Sequence, residues 1–176
     1  MILDSSYIFD LMDGNTAAIE KGTALTEAGN VQWLPTPVMA EVHYGVAYTA
    51  SEEARRTVQN ALLGYPRVDI DEEIARTAST LLAAADRAAD RNSGVETNDA
   101  HIGAIADVLD EPVLTANPDD FETLGSMSKP IEQLSPTGVG VVFSHLRSRL
   151  RRFASDSTVN PVSIISEPSV PSRTRR

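Results

Sequence analysis

The sequence predicts an α/β fold with a parallel sheet. Short apolar runs that end in a turn or cap residue recur at residues 1–4, 31–34, 68–70 and 112–115. Longer segments with helical start and stop signals separate them. Short strands alternating with helices of ten or more residues need crossover connections, and these give parallel pairing with helices packed over the sheet.

Element by element, Met1-Ile-Leu-Asp4 is an apolar strand ending in an acid. Ser5 and Ser6 are N-cap candidates for a helix over 7–12. Asp13-Gly-Asn-Thr16 breaks the chain, and a second helix runs to about Ala28, closed by Gly29-Asn30. Residues 31–34 form the second strand. Thr36-Pro37 then starts a helix over 38–49, with threonine as cap and proline in the first turn. Ser51 opens a further helix to Leu63, stopped by Gly64-Tyr-Pro66, and residues 68–70 form the third strand. The longest helix opens at Asp71-Glu-Glu, whose acids suit the helix dipole. Its apolar residues Ile74, Ala78, Leu81, Leu82, Ala85 and Ala89 have helical spacing. After a loop over 92–98, Asp99 opens a helix to Leu109, and residues 112–115 form the fourth strand. Asn117-Pro-Asp-Asp-Phe121 turns into a short helical piece, and residues 131–134 form an edge strand. No internal repeat is visible.

The 176 residues fit one domain with some chain to spare. Absence of cysteine excludes disulfides, thiolate metal sites and cysteine nucleophiles. There is neither a basic, apolar leader nor an apolar run long enough to span a bilayer, so the chain reads as cytoplasmic. Charge divides the chain. Residues 1–135 hold 23 acids against 8 bases, a formal −15, and residues 136–176 hold 2 against 7, a formal +5, which together give −10. The expected organisation is a domain at 1–135, a basic, helix-capable extension at 136–154 and a disordered, Ser/Pro/Arg-rich tail at 155–176. An acidic, Ala- and Asp-rich, Lys-poor body resembles the proteins of salt-loving microbes, where salt screens self-repulsion. The same acidity opposes a broad phosphate-binding surface, so a nucleic acid would be held through metal ions, local arginines or the tail.

Most acids of such a chain are solvated surface, but four places differ. Asp4 ends the first strand, Glu41 lies one turn inside a capped helix, and Asp99 sits at a helix start. Asn117, Asp119 and Asp120 follow the fourth strand. Ligands of open parallel sheets bind past the carboxyl ends of strands, which puts Asp4 and the 117–120 turn at one edge. Clustered carboxylates repel unless a cation neutralises them. Hard oxygen donors with neither cysteine nor paired histidine select Mg²⁺ or Mn²⁺. Such sites activate water for displacement at phosphorus, so phosphodiester hydrolysis is the natural reaction class.

Four segments resemble the motifs of PIN-domain nucleases, in the family's order: Ile2-Leu-Asp4-Ser-Ser6, Pro37-Val-Met-Ala-Glu41-Val-His-Tyr-Gly45, Asn98-Asp99-Ala-His-Ile-Gly-Ala-Ile-Ala106 and Leu114-Thr-Ala-Asn117-Pro-Asp-Asp120-Phe121. They span residues 1–135, and the layout is most similar to VapC toxins of toxin–antitoxin pairs. The resemblance implies a three-layer α/β/α domain with a short central sheet, usually dimeric. It implies a Mg²⁺- or Mn²⁺-dependent endoribonuclease acting on RNA and silenced by a VapB-like antitoxin. It makes Asp4 and Asp99 the principal metal ligands, with Glu41 completing the cluster. The family's usual fourth acid falls at Asn117, which ligates only through a neutral amide, so Asp120 or Asp119 are the alternatives there.

Ser6 and Thr115 are candidates for contact with substrate, as are Arg147 and Arg151 of the basic extension. His43 and His101 each lie two residues beyond a candidate acid, about 200° around the helix, and read as packing or surface groups. Asp10 and Asp13 read as exposed. A PIN-like fold kept only for protein contacts is the competing reading, favoured by Asn117. A receiver or phosphatase lacks its Asp-x-Asp and lysine here, and a dinucleotide site lacks Gly-x-Gly-x-x-Gly.

Overall fold

The computed structural model describes residues 1–49, 51–125 and 132–134. The expected extension at 136–154, with Arg147 and Arg151, and the expected tail at 155–176 lie outside them. Among the described residues the elements are β1 (Ile2–Leu3), α1 (Ser5–Met12), α2 (Thr16–Glu27), β2 (Leu34–Pro35), α3 (Thr36–Thr49), α4 (Glu52–Leu62) and β3 (Arg67–Val68), then α5 (Glu72–Ala88), α6 (Thr97–Leu109), β4 (Val113–Thr115), α7 (Pro118–Leu124) and β5 (Glu132–Gln133).

Every strand pairing is parallel. Ile2 stands opposite Val113, Leu114 opposite Glu132, and Leu34 opposite Arg67. A bridge between Ile2 and Trp33 joins the two ladders, with the Leu3 N–H donating to Trp33 O at 2.9 Å and the Trp33 N–H to Met1 O at 2.8 Å. The resulting order is β3-β2-β1-β4-β5. Right-handed crossovers then place α1 to α4 over one face and α5 to α7 over the other. The packing agrees: α1 lies on α2 and α3, α3 on α4, and α5 along α6 and α7. The strands are short and covered on both sides, with Ile2, Leu3, Leu34, Val113 and Leu114 all inaccessible to solvent or nearly so.

Several boundaries depart from the sequence expectation for local reasons. The cap of α1 is Asp4, not Ser5 or Ser6: its carboxylate accepts from the Ser5 and Ser6 N–H groups, and the serines occupy the first turn. Ser51 and Asp71 do cap α4 and α5 through their side chains. Asp99 does not open α6; the helix begins at Thr97 with Glu96 at the cap position, which leaves Asp99 in the first turn. Residues 31 and 32 stay out of the sheet because Gln32 is tied to α2, its Nε2 donating to Thr26 Oγ1 at 3.0 Å and Gly22 O at 3.3 Å. Asp10 is buried rather than exposed, because α2, α3 and β4 all pack on α1 and leave Ser5 to Asp10 covered.

Gly22 marks the tightest approach between α1 and α2. A Cβ there would lie 2.5 Å from the hydroxyl of the fully buried Tyr7, which donates to Ala18 O at 3.3 Å. Burial also pushes the Tyr7 phenol well above its ordinary value, so the ring stays neutral. Gly22→Ala would gain about 1 kcal/mol of helix propensity. It would lose about 1–3 kcal/mol to overpacking and about 1 kcal/mol with the Tyr7 hydrogen bond. The expected net is a destabilisation of about 1–3 kcal/mol in urea unfolding, and a stabilised variant would refute the steric account.

Candidate active site

β1 and β4 are neighbours whose outgoing connections run in opposite directions, β1 towards β2 and β4 towards β5. A crevice opens between the carboxyl ends of two such strands. Asp4 follows β1 directly, and Asn117 stands two residues past the end of β4. α3 and α6 touch each other and bring Glu41 and Asp99 to the same end of the sheet.

Asp4 is 3% exposed and hydrogen-bonded on both oxygens. Oδ1 accepts from the Ser5 N–H at 2.7 Å. Oδ2 accepts from the Ser6 N–H at 3.3 Å, from the Ser6 hydroxyl, and from the Thr115 hydroxyl at 2.8 Å. The Ser5 hydroxyl adds a long contact to Oδ1 at 3.5 Å, so the donors crowd Oδ2 while Oδ1 keeps a single short hydrogen bond. The hydroxyls are themselves engaged: Ser6 Oγ accepts from the Ala116 N–H at 2.9 Å, and Thr115 Oγ1 from the Asn117 N–H at 2.9 Å. Asp4, Ser6 and Thr115 therefore staple the end of β1, the start of α1 and the turn after β4 into one unit. Neither hydroxyl is open to an outside ligand in this arrangement.

The other acids have few donors. Glu41 accepts from the Asn98 amide at 2.7 Å. Burial nevertheless raises its pKa, hydrogen bonds from Ser5 and Asn98 oppose the rise, and the charges of Asp4 and Glu96 add to it. Asp99 is pushed up to about 7, first by burial and then by Asp4, Asp120, Glu41 and Glu96. Its place in the first turn of α6 favours a negative charge, but that is worth only about 1 kcal/mol. Asp120 is raised by burial and by Asp4, Asp119 and Glu96, against the hydrogen bond from Asn117, whose Nδ2 donates to Asp120 Oδ2 at 2.6 Å. Asp120 thus acts on Asp99, Asn117 is turned to Asp120, and the exposed Asp119 acts on Asp120.

Two residues of this site escaped the sequence reading. Glu96 acts electrostatically on Glu41, Asp99 and Asp120 alike. Asn98 supplies the amide that orients Glu41. The signal was slight, an acid and an amide just ahead of Asp99 in a polar loop. The buried Nδ1 of His101 has no hydrogen-bond partner among the described residues. A groove of about 540 Å³ lies elsewhere, between α2 and the turn before β3, lined by Tyr7, Leu11, Ile19, Tyr65 and Pro66 among others; none of the clustered acids lines it.

The donor set fits a hard divalent cation. Every charge acting on Glu41, Asp99 and Asp120 is negative. Among the described residues no three acidic or histidine side chains converge closely enough to ligate one ion together. Mg²⁺ commonly keeps several waters and takes only one or two carboxylates, so Asp99 with Glu41 or Asp120 is a sufficient protein share. Asp4, held by Ser5, Ser6 and Thr115, shapes the wall of the crevice and adds its charge there.

The family profile described as the PIN domain matches residues 1–126. No curated protein sequence matches the chain. Among solved structures the chain is similar to VapBC2 from Rickettsia felis bound to a DNA fragment from its promoter, with 16% identity, a TM-score of 0.62 and coverage of 72% of this chain and 93% of that one. It is similar to DNA-bound VapBC from Salmonella typhimurium at 19% identity and a TM-score of 0.61, covering 76% and 97%. It is also similar to VapBC-5 from Mycobacterium tuberculosis at 22% identity and a TM-score of 0.53, covering 75% and 96%. Among the described residues no helix is long and apolar enough to cross a membrane.

Proposed function

Because the chain belongs to the PIN-domain family, whose profile covers residues 1–126, we propose that it is a Mg²⁺- or Mn²⁺-dependent endoribonuclease, the toxin of a toxin–antitoxin pair. The observation that carries this reading is Asp99: a largely buried carboxyl surrounded by Asp4, Asp120, Glu41 and Glu96, with its pKa raised to about 7. Carboxylates brought together in this way repel, and a bound cation relieves the repulsion. A bound divalent ion would supply charge neutralisation and water activation at the scissile phosphate. Asp99 would hold it, with Glu41 and Asp120 beside it. Asn98 fixes the Glu41 carboxyl and Asn117 fixes that of Asp120, so both stand oriented before any ligand arrives. With a raised pKa, Glu41 is suited to take a proton from an incoming water.

The solved VapBC complexes favour a VapB-like antitoxin as partner, and the motif resemblance implies a homodimeric toxin. An acidic body of formal charge −15 over residues 1–135 suits a cytoplasm rich in salt. The test is RNA cleavage by the purified full chain: activity with Mg²⁺ or Mn²⁺, loss on chelation, recovery on adding the metal back. Cleavage that ignores the chelator would refute the reading. The competing reading, a PIN fold kept for protein contacts alone, draws on Asn117, the neutral residue at the fourth corner. Titration calorimetry with Mn²⁺ separates the two, because a module without a working site shows no saturable binding.

A further inference from the structure

The solvent side of α3 carries no charge. Its exposed residues are Ala40, Tyr44, Ala47 and Tyr48, in a chain of which 23% of residues are charged. Tyr44 is 58% and Tyr48 49% exposed, and their ring centroids are 6.4 Å apart at a tilt of 35°. The rings share their helix with Glu41. At 3.6 residues per turn Tyr48 stands about 20° and Tyr44 about 60° from Glu41 around the axis. At 1.5 Å per residue they lie about 10 Å and about 4.5 Å further along it. Two neighbouring aromatic rings therefore begin one turn from the acid cluster and lead away from it.

We propose that Tyr44 and Tyr48 are a stacking step for unpaired bases of single-stranded RNA, holding the nucleotides next to the scissile phosphate. The inference rests on the ribonuclease reading and adds how that site grips its substrate. Charge is the first argument. A body of formal charge −15 over residues 1–135 repels a phosphate backbone. The usual electrostatic share of nucleic-acid affinity is therefore lacking here, and in strong salt it would be screened in any case. Base–aromatic stacking supplies about 1–3 kcal/mol per base without needing a cation. Area is the second argument. Two half-exposed tyrosines offer roughly 200 Å². An RNA strand asks for no more than a ring per base.

The experiment compares the full chain with Tyr44→Ala/Tyr48→Ala and Tyr44→Phe/Tyr48→Phe. The probes are a random-sequence single-stranded RNA of about 20 nucleotides, enough to span one binding site, and bis(p-nitrophenyl) phosphate, a phosphodiester without bases. The expected result is a KM for RNA raised at least tenfold in the alanine variant, kcat little changed, near-normal kinetics in the phenylalanine variant, and unchanged turnover of the baseless ester. An unchanged KM overturns the inference. Loss of the baseless activity overturns it as well, by exposing a structural role for the rings. Sedimentation velocity adds a third arm: dimeric wild type beside monomeric alanine variant would assign the face to a second copy instead. Should the wild type cleave neither probe, the ribonuclease reading falls. Fluorescence anisotropy with labelled RNA then decides separately: tyrosine-dependent binding upholds the stacking step, and tyrosine-independent binding overturns it.

Discussion

Asp99→Asn is expected to make the metal-free protein more stable while lowering metal-dependent RNA cleavage by about 100-fold or more. The two effects have one cause. Asp99 is held up at about 7 by burial and by Asp4, Asp120, Glu41 and Glu96, whereas its ordinary value in an unfolded chain is about 4. The native state therefore binds a proton that the unfolded state does not, between about pH 4 and pH 7. Stability conferred by the neutral form is full below pH 4, falls as pH rises through that window, and is gone above about pH 7. Three units at 1.36 kcal/mol each bound the effect at about 4 kcal/mol, and partial exposure reduces it to about 2 kcal/mol. Asparagine keeps the shape and drops the charge, so at pH 8 the variant should unfold at higher urea than the wild type, and at pH 4 the gap should close. Mg²⁺ at pH 8 should stabilise the wild type and leave the variant unmoved. The loss of activity follows because several kcal/mol of transition-state charge stabilisation depend on holding the cation, and each 1.36 kcal/mol is a decade in rate. Equal stability at pH 8, or a fully active variant, would sink the assignment of Asp99.

That coupling explains which parts of the site could be read in the sequence. Periodicity located α5 correctly: Ile74, Ala78, Leu81 and Ala85 are buried and Leu82 partly so, while Ala89 lies past the helix end and is exposed. Helix and strand order followed from cap and breaker residues, because these act locally. The cap of α1 did not follow, since Asp4, Ser5 and Ser6 cap almost equally well and only the end of β1 decides among them. Asp10 was hidden for a related reason: nothing in its own segment announces that helices arrive over it from both sides. Glu96 and Asn98 meet Glu41 only because α6 and α3 touch across more than fifty residues of chain. The replacement at Asn117 was legible as a missing charge. Its consequence, an amide turned to hold Asp120, needed the geometry.

Asp4 is expected to behave in the opposite sense to Asp99, although both acids sit in one cluster and one family motif set. Asp4→Ala removes the N-cap of α1, worth about 0.5–2 kcal/mol. It also removes the common acceptor of the buried Ser6 and Thr115 hydroxyls, which keep each other at 3.1 Å and Asn117 O at 3.2 Å, so this loss is about 1 kcal/mol. Overlap between these two losses keeps the total below about 3 kcal/mol. Asp4→Asn is intermediate for a geometric reason. The carboxylate faces a backbone N–H on each oxygen, Ser5 on one side and Ser6 on the other. An amide presents one NH₂, so whichever way it turns, one N–H confronts another; the hydroxyls of Ser6 and Thr115 can rotate to accept, but the backbone cannot. Urea unfolding should therefore rank wild type above Asp4→Asn above Asp4→Ala, with Asp99→Asn above all three at pH 8. Ser6→Ala and Thr115→Ala should each lose part of the Asp4→Ala deficit and lower cleavage modestly, because they loosen the wall of the crevice without removing a charge. If Asp4→Asn proved as stable as Asp99→Asn, Asp4 would be one more repelling carboxylate. The measured order instead tests a division of labour in which one acid builds the crevice and another, kept unsatisfied, waits for the cation.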